Sequence, residues 1–225
     1  MNYLIVVAHP DDEVLGAGAT INSLCKAGHI VDVCSMSGEA RARANRPSDD
    51  DLATDINDSC NLLGVRKVYH GDFPNIQMNM VPHLHLVQFI EAAILQSEAD
   101  VLITHHMSDT NNDHLQTFLA AQAAFRLFQR RDDVKPIQEM WLMEVLSSTE
   151  WSFSPAADKF NPNLFVTVGK QGIEAKLKAL ATYRGVMREY PHPRSKETIE
   201  GLAAYRGSQG GCEYAEAFEC VFRRM

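Results

Sequence analysis

The chain has 225 residues, 45% of them hydrophobic and 22% charged, which suits one large domain spanning residues 1–225 better than two small ones. The formal net charge is −8. An acidic surface argues against nucleic acid or an anionic membrane as the main partner, because both reward a basic face.

Leu4–Ala8 is a short apolar, β-branched run ending at His9-Pro10, and it reads as a fully buried strand. A helix is predicted from Glu13 to Ala27, stopped by Gly28. Ile30–Met36 is the next strand. Residues 37–51 (SGEARARANRPSDDD) are polar and aperiodic and read as a long loop. Leu52–Leu63 is helical with Gly64 as its stop, and Arg66–His70 is a third strand. Pro82–Gln96 is a helix and Val101–Thr104 a fourth strand. The loop HHMSDTNND leads into a helix over His114–Gln129. Pro136–Val145 and Leu164–Val168 are later strands, Gly169–Arg184 and Lys196–Tyr205 later helices, and Ala217–Phe222 a closing strand. Strands alternating with helices predict an α/β fold: a Rossmann-like three-layer sandwich with a mostly parallel sheet.

The five cysteines (Cys25, Cys34, Cys60, Cys212 and Cys220) are odd in number, and none are spaced as C-x-x-C. Reduced, mostly buried thiols in a cytoplasmic protein fit better than a disulfide framework or a thiolate zinc site. The opening MNYLIVVAHPDDE carries no basic leader, so no signal peptide is expected, and no run approaches the roughly 20 apolar residues of a membrane span.

In open α/β sheets, ligands bind outside the carboxyl ends of the strands. Two polar clusters fall there: His9-Pro10-Asp11-Asp12-Glu13 after the first strand and Asn111-Asn112-Asp113-His114 after the fourth. His9 and Asp12 are three residues apart at a strand-to-helix turn stiffened by Pro10, so both side chains can reach one point. His114 opens the helix after strand four. A His-Asp-His set offers three N/O ligands to zinc and leaves one position open, the pattern of a catalytic site. Asp11, beside them, suits a general base that later acts as general acid. Asp113 suits a carboxylate that orients a ligand imidazole. Acids at positions 11–13 are also what capping and the helix dipole favour. Their placement together with His114 at two strand ends is what points to a metal.

The segment VVAHPDDEVLGAGATI resembles the opening motif of the LmbE-like, or PIG-L-type, de-N-acetylases, and DTNNDH resembles that family's second motif. The SGE after the second strand, LGV at Leu63–Val65, HPRS at His192–Ser195 and YAEAFE at Tyr214–Glu219 are similar too. The resemblance implies a Rossmann-like fold, one divalent metal, usually zinc, held by His9, Asp12 and His114, and Asp11 as the base; the N/O ligand set would also accept nickel, cobalt or iron. It also implies hydrolysis of an N-acetyl group on a glucosamine-type sugar, and assembly into a homo-oligomer, a trimer or hexamer. Two departures bear on substrate choice: Asn111 stands where many members have histidine, and Asn75 follows a Phe-Pro that many members follow with aspartate.

Weaker candidates lie outside the first two motifs. His192, in a loop with two prolines, is a catalytic candidate for polarising the acetyl carbonyl. Arg43 and Arg46, with Arg41, lie in the long loop and could close over a sugar or its phosphate, and Asn75 could meet a sugar hydroxyl. A solvated loop is the simpler reading of the arginines. His105 and His106 end strand four, where one could line the site, and a core or surface role suits them equally well. Gly16 and Gly18 make no dinucleotide fingerprint, because the turn itself holds HPDDE instead of glycines. Two rival functions remain: a metal-dependent amidase acting on a non-sugar amide, and a sugar-binding protein that has lost catalysis.

Overall fold

The computed structural model describes residues 1–38, 48–153 and 159–225. Strands β1 (Asn2–Val7), β2 (Ile30–Ser35), β3 (Lys67–His70), β4 (Val101–His105), β5 (Glu139–Met143), β6 (Leu164–Thr167) and β7 (Ala215–Arg223) form one sheet in the order β3-β2-β1-β4-β5-β7-β6. The first five are parallel. β7 runs antiparallel to both β5 and β6. The expected mostly parallel α/β sheet is what forms.

Period-two alternation along β1 divides the core. Tyr3, Ile5 and Val7 face one side, where they meet helices α1 (Asp12–Lys26), α2 (Asp49–Leu63) and α5 (Gly169–Thr182). Leu4, Val6 and Ala8 face the other, against α3 (His83–Ser97) and α4 (Asn112–Phe125). β1 is therefore buried on both faces, which is why its sequence is continuously apolar. α1 lies close to the sheet at Gly16, where an added Cβ would come within 2.4 Å of Met143 Sδ. That approach accounts for a glycine inside a helix.

Several boundaries differ from expectation. α2 starts at Asp49, because the Ser48 hydroxyl accepts from Asp51 N (3.1 Å) and the acids after it suit a helix start. The stretch 49–51 is thus helix and not loop. α4 starts two residues before His114, where the Asn111 side chain accepts from Asp113 N (2.9 Å), and it ends at Phe125. α6 (Lys196–Gly210) runs five residues beyond Tyr205. β5 is confined to Glu139–Met143 within the longer stretch read as strand.

The chain moves outward through β2 and β3, then crosses back to β4 on the other side of β1. The carboxyl ends of β1 and β4 therefore flank the point where the strand order reverses. That is where a doubly wound sheet opens a crevice.

Candidate metal centre

His9 follows β1 in a tight turn whose last residue, Asp11, has a left-handed backbone (φ 97°) and caps α1. Three contacts hold the turn. Asp12 Oδ2 accepts from His9 N (3.0 Å), Glu13 Oε2 accepts from Asp11 N (3.0 Å), and Glu13 Oε1 accepts from the buried Tyr183 hydroxyl (2.5 Å). Burial and the nearby Asp11 carboxylate raise the Glu13 carboxyl to about 7, against the lowering effect of Tyr183. Across the crevice, the first turn of α4 presents Asp113 and His114, both buried.

His9, Asp12 and His114 converge, with one ligand atom from each lying within 4.8 Å of the others. His114 Nε2 is 3.2 Å and His9 Nδ1 3.4 Å from Asp12 Oδ2. A tetrahedral ion about 2.1 Å from each donor would space donors about 3.4 Å apart, so the set has the right size. Although His114 Nδ1 and Nε2 each lie close to a carboxylate oxygen, neither is aligned for a hydrogen bond. Buried imidazole nitrogens in that state suit a ligand that is not a hydrogen-bond partner. The residues present therefore fit a zinc-like ion.

Each histidine has its own carboxylate behind it. His9 Nε2 is 2.9 Å from Asp113 Oδ2, and Asp113 is itself fixed by Ile76 N (2.6 Å) and Met78 N (3.0 Å). His114 Nδ1 is 3.0 Å from Asp109 Oδ2. Asp109 in turn accepts from Thr149 Oγ1 (2.8 Å) and from the Ser148 hydroxyl. Asp113 thus backs His9 and not its sequence neighbour His114. Asp109 was not expected from the sequence, where an acid five residues before a histidine in a loop carries no periodic signal. Burial opposes a charged His114 ring, but Asp12 first and then Asp109 outweigh it and bring its pKa up to about 10. His9 is raised as well, since Asp113 and Asp12 overcome the cost of burial. Burial opposes ionisation of Asp12, yet the histidines hold its carboxyl well below the ordinary range.

A second group, His105, Asp109 and His114, is equally close together. Its His105 Nε2 already accepts from Ala8 N (2.9 Å), and burial pushes the ring down to about 3. The neutral ring stacks on His114 with centroids 3.8 Å apart. His105 thus packs against the face of His114 with its Nε2 already engaged by the β1 backbone.

A cavity of about 160 Å³ opens over the triad, with Asp11, Asn75, Asn111, Ser147 and Arg194 in its wall. A larger open depression of about 710 Å³, bordered by Lys170, Glu174 and Lys178, brings together no comparable set of ligands among the described residues. Of the residues expected from sequence, His9, Asp11, Asp12, His114 and Asn75 meet in the cavity, and Asp113 stands directly behind it. His192 is not in its wall. It is exposed, and its Nδ1 accepts from Arg194 N (3.0 Å). Burial and the Arg194 and Arg188 charges hold its ring pKa down. Arg43 and Arg46 lie outside the described residues. Arg194 lies in the HPRS stretch, whose histidine was the residue singled out from sequence, and Ser147 had no signal there, because both reach the cavity from loops far along the chain.

The sequence pattern of GlcNAc-PI de-N-acetylases (PIG-L) matches residues 4–125, more than half of the chain. The chain belongs to this family. No curated protein matches it in sequence at a significant level. Among solved structures, it resembles a conserved protein from Thermus thermophilus (19% identity, TM-score 0.80, 100% of this chain and 96% of that one). It also resembles GalB, the 4-carboxy-2-hydroxymuconate hydratase of Pseudomonas putida KT2440 (19%, 0.78, 100% and 98%). A third is the N,N'-diacetylchitobiose deacetylase of Pyrococcus horikoshii (20%, 0.75, 97% and 83%). At such identities the likeness establishes the fold. Among the described residues no helix is long and apolar enough to cross a membrane.

Proposed function

We propose that this family member is a zinc-dependent hydrolase that removes the acetyl group from an N-acetylated amino sugar. The observation that carries this reading is the buried His9–Asp12–His114 group with Asp11 in the wall of the same cavity. Zinc held by those three side chains would supply Lewis acidity to an acetyl carbonyl and lower the pKa of water. Asp11, fixed at the turn by Glu13, takes the proton of the attacking water and returns it to the departing amine. Asn75 and Asn111 offer amide donors and acceptors that match sugar hydroxyls. Asp113 and Asp109 keep the two imidazoles in place. A small-molecule sugar, a homo-oligomeric assembly and a cytoplasmic location complete the proposal.

A second reading draws on GalB, whose described activity is a hydratase and which covers 98% of its own length in the match. An acid–base carboxylate beside a metal group also suits addition of water to a conjugated double bond. The deciding experiment measures acetate released from a panel of N-acetylglucosamine derivatives and simple acetamides, using chelated and zinc-restored protein side by side. The same proteins are mixed with a 2-hydroxymuconate, and the loss of its conjugated absorbance is followed. Acetate release that vanishes with chelator and returns with zinc supports the deacetylase, and the best substrate defines the sugar. No acetate but loss of absorbance moves the function to hydration. Neither, from protein that binds stoichiometric zinc, leaves a binding role.

A further inference from the structure

Arg194 is the sole arginine or lysine in the wall of the cavity among the described residues. Its guanidinium bridges two unusual backbones. Nη1 lies 3.3 Å from Asp11 Oδ2, and Nε donates to Ser147 Oγ at 2.7 Å. Asp11 (φ 97°) and Ser147 (φ 73°) both occupy the left-handed region without being glycine. Such conformations persist only where the surroundings enforce them, and they cluster at functional sites. The enforcing contacts are present: Glu13 accepts from Asp11 N, and Glu150 accepts from Ser147 N (2.6 Å) and Ser148 N (3.0 Å).

The backbone of Arg194 is equally constrained. Its N–H donates to His192 Nδ1, its carbonyl accepts from Arg188 N (3.3 Å), and the next residue, Ser195, caps α6. The His192 ring thereby serves to hold Arg194.

A structural arginine–carboxylate pair elsewhere in this protein looks different. Arg206 grips Glu144 through two bonds of 2.7 Å each. Arg194 gives Asp11 a single nitrogen at a longer distance, and no hydrogen bond of its Nη2 is formed among the described residues. One edge of a pre-set, 26% exposed guanidinium thus remains for a ligand.

We propose that Arg194 is the oxyanion-binding residue of this cavity. The proposal rests on the deacetylase reading. In that reaction water oxygen adds to the acetyl carbon, and the carbonyl π pair moves onto its oxygen, which becomes negative. The C–N bond then breaks with its electron pair going to nitrogen. Asp11 returns the first water proton to that nitrogen, and the second is shed as the acid ionises to acetate. Both the intermediate and the product place a charged oxygen in the cavity. A fixed cation aimed at it stabilises the charged state more than the neutral amide.

The test compares zinc-loaded parent protein with Arg194→Met and Arg194→Lys, checking fold by circular dichroism and zinc content by metal analysis. Turnover is measured on the best acetylated substrate, and acetate affinity by calorimetric titration. In Arg194→Met, kcat is expected to fall about 100-fold or more with KM changed far less. Acetate should bind at least about 10-fold more weakly, a loss of the kind expected when a charged hydrogen-bond partner is removed. Arg194→Lys should lie between. Absence of acetate binding by the parent, or equal binding by Arg194→Met, overturns the proposal even if kcat drops, because Arg194 would then act only through Asp11. If the parent cleaves no amide, the deacetylase reading fails separately, and the acetate titration still decides whether Arg194 receives a carboxylate.

Discussion

Asp11 and Asp12 are adjacent in sequence, but the left-handed backbone at Asp11 gives them different surroundings. Asp12 is enclosed by His9, His105 and His114, whereas Asp11 faces the cavity and Arg194. Asp11→Asn should therefore keep zinc content and melting temperature while lowering kcat by about 10²- to 10⁴-fold, the usual worth of a general base. Unchanged turnover would remove Asp11 from the mechanism. In the metal-free protein the His114 ring titrates at about 10, so it carries a proton at pH 7 that a metal must displace. Zinc binding at pH 7 should thus release at least one proton, visible as a calorimetric heat that varies with the ionisation enthalpy of the buffer. A buffer-independent heat would count against His114 as a ligand. Asp109→Asn, which weakens the carboxylate behind His114, should cost about 10- to 100-fold in zinc affinity by competition with a chromophoric chelator. An unchanged affinity would remove the Asp109 charge from the support of His114.

At the level of elements, α1 is the piece on which the site depends, since Asp11 caps it and Asp12 lies in its first turn. A buried ion pair is wedged against its backbone. Lys176 Nζ on α5 donates to Leu15 O (2.7 Å) and Glu216 Oε1 (2.6 Å), while Glu216 on β7 accepts from Ala19 N (3.2 Å) and Thr20 N (2.7 Å). Lys176→Met strands the Glu216 carboxylate in the interior and should destabilise by about 3–5 kcal/mol, read as a lower urea midpoint at unchanged slope. Adding Glu216→Leu should restore much of that loss, because a well-packed apolar pair is often neutral in place of a buried ion pair. If the double variant is no more stable than the single one, the bonds to the α1 backbone matter more than charge balance.

At the scale of the whole molecule, the ligands come from the carboxyl ends of two neighbouring parallel strands, His9 and Asp12 after β1 and His114 after β4. A metal bound only by the folded chain adds stability by mass action, about 2.7 kcal/mol when free zinc is 100 times its dissociation constant. For a chain of this size each kcal/mol moves the melting temperature by about 2–4 °C. Saturating zinc should therefore raise the midpoint of chelated protein by several degrees, and His114→Ala should abolish most of the increment. An equal rise in that variant would place the stabilising metal elsewhere.

The linear chain by itself determined the alternation of strands and helices and the HPDDE turn. The reasons are local: period-two and period-3.6 burial, proline stiffness and capping chemistry act over a few residues. The same locality made His9, Asp12 and His114 legible, since strand ends are marked by where apolar runs stop. Only the tertiary structure decided that Asp113 backs His9, that Asp109 backs His114, and that Arg194 and not its neighbour His192 enters the cavity. Those assignments depend on side-chain directions across separations of 104 residues for His9 to Asp113 and 183 for Asp11 to Arg194. Packing fixes such directions, and no spacing rule in the chain encodes them.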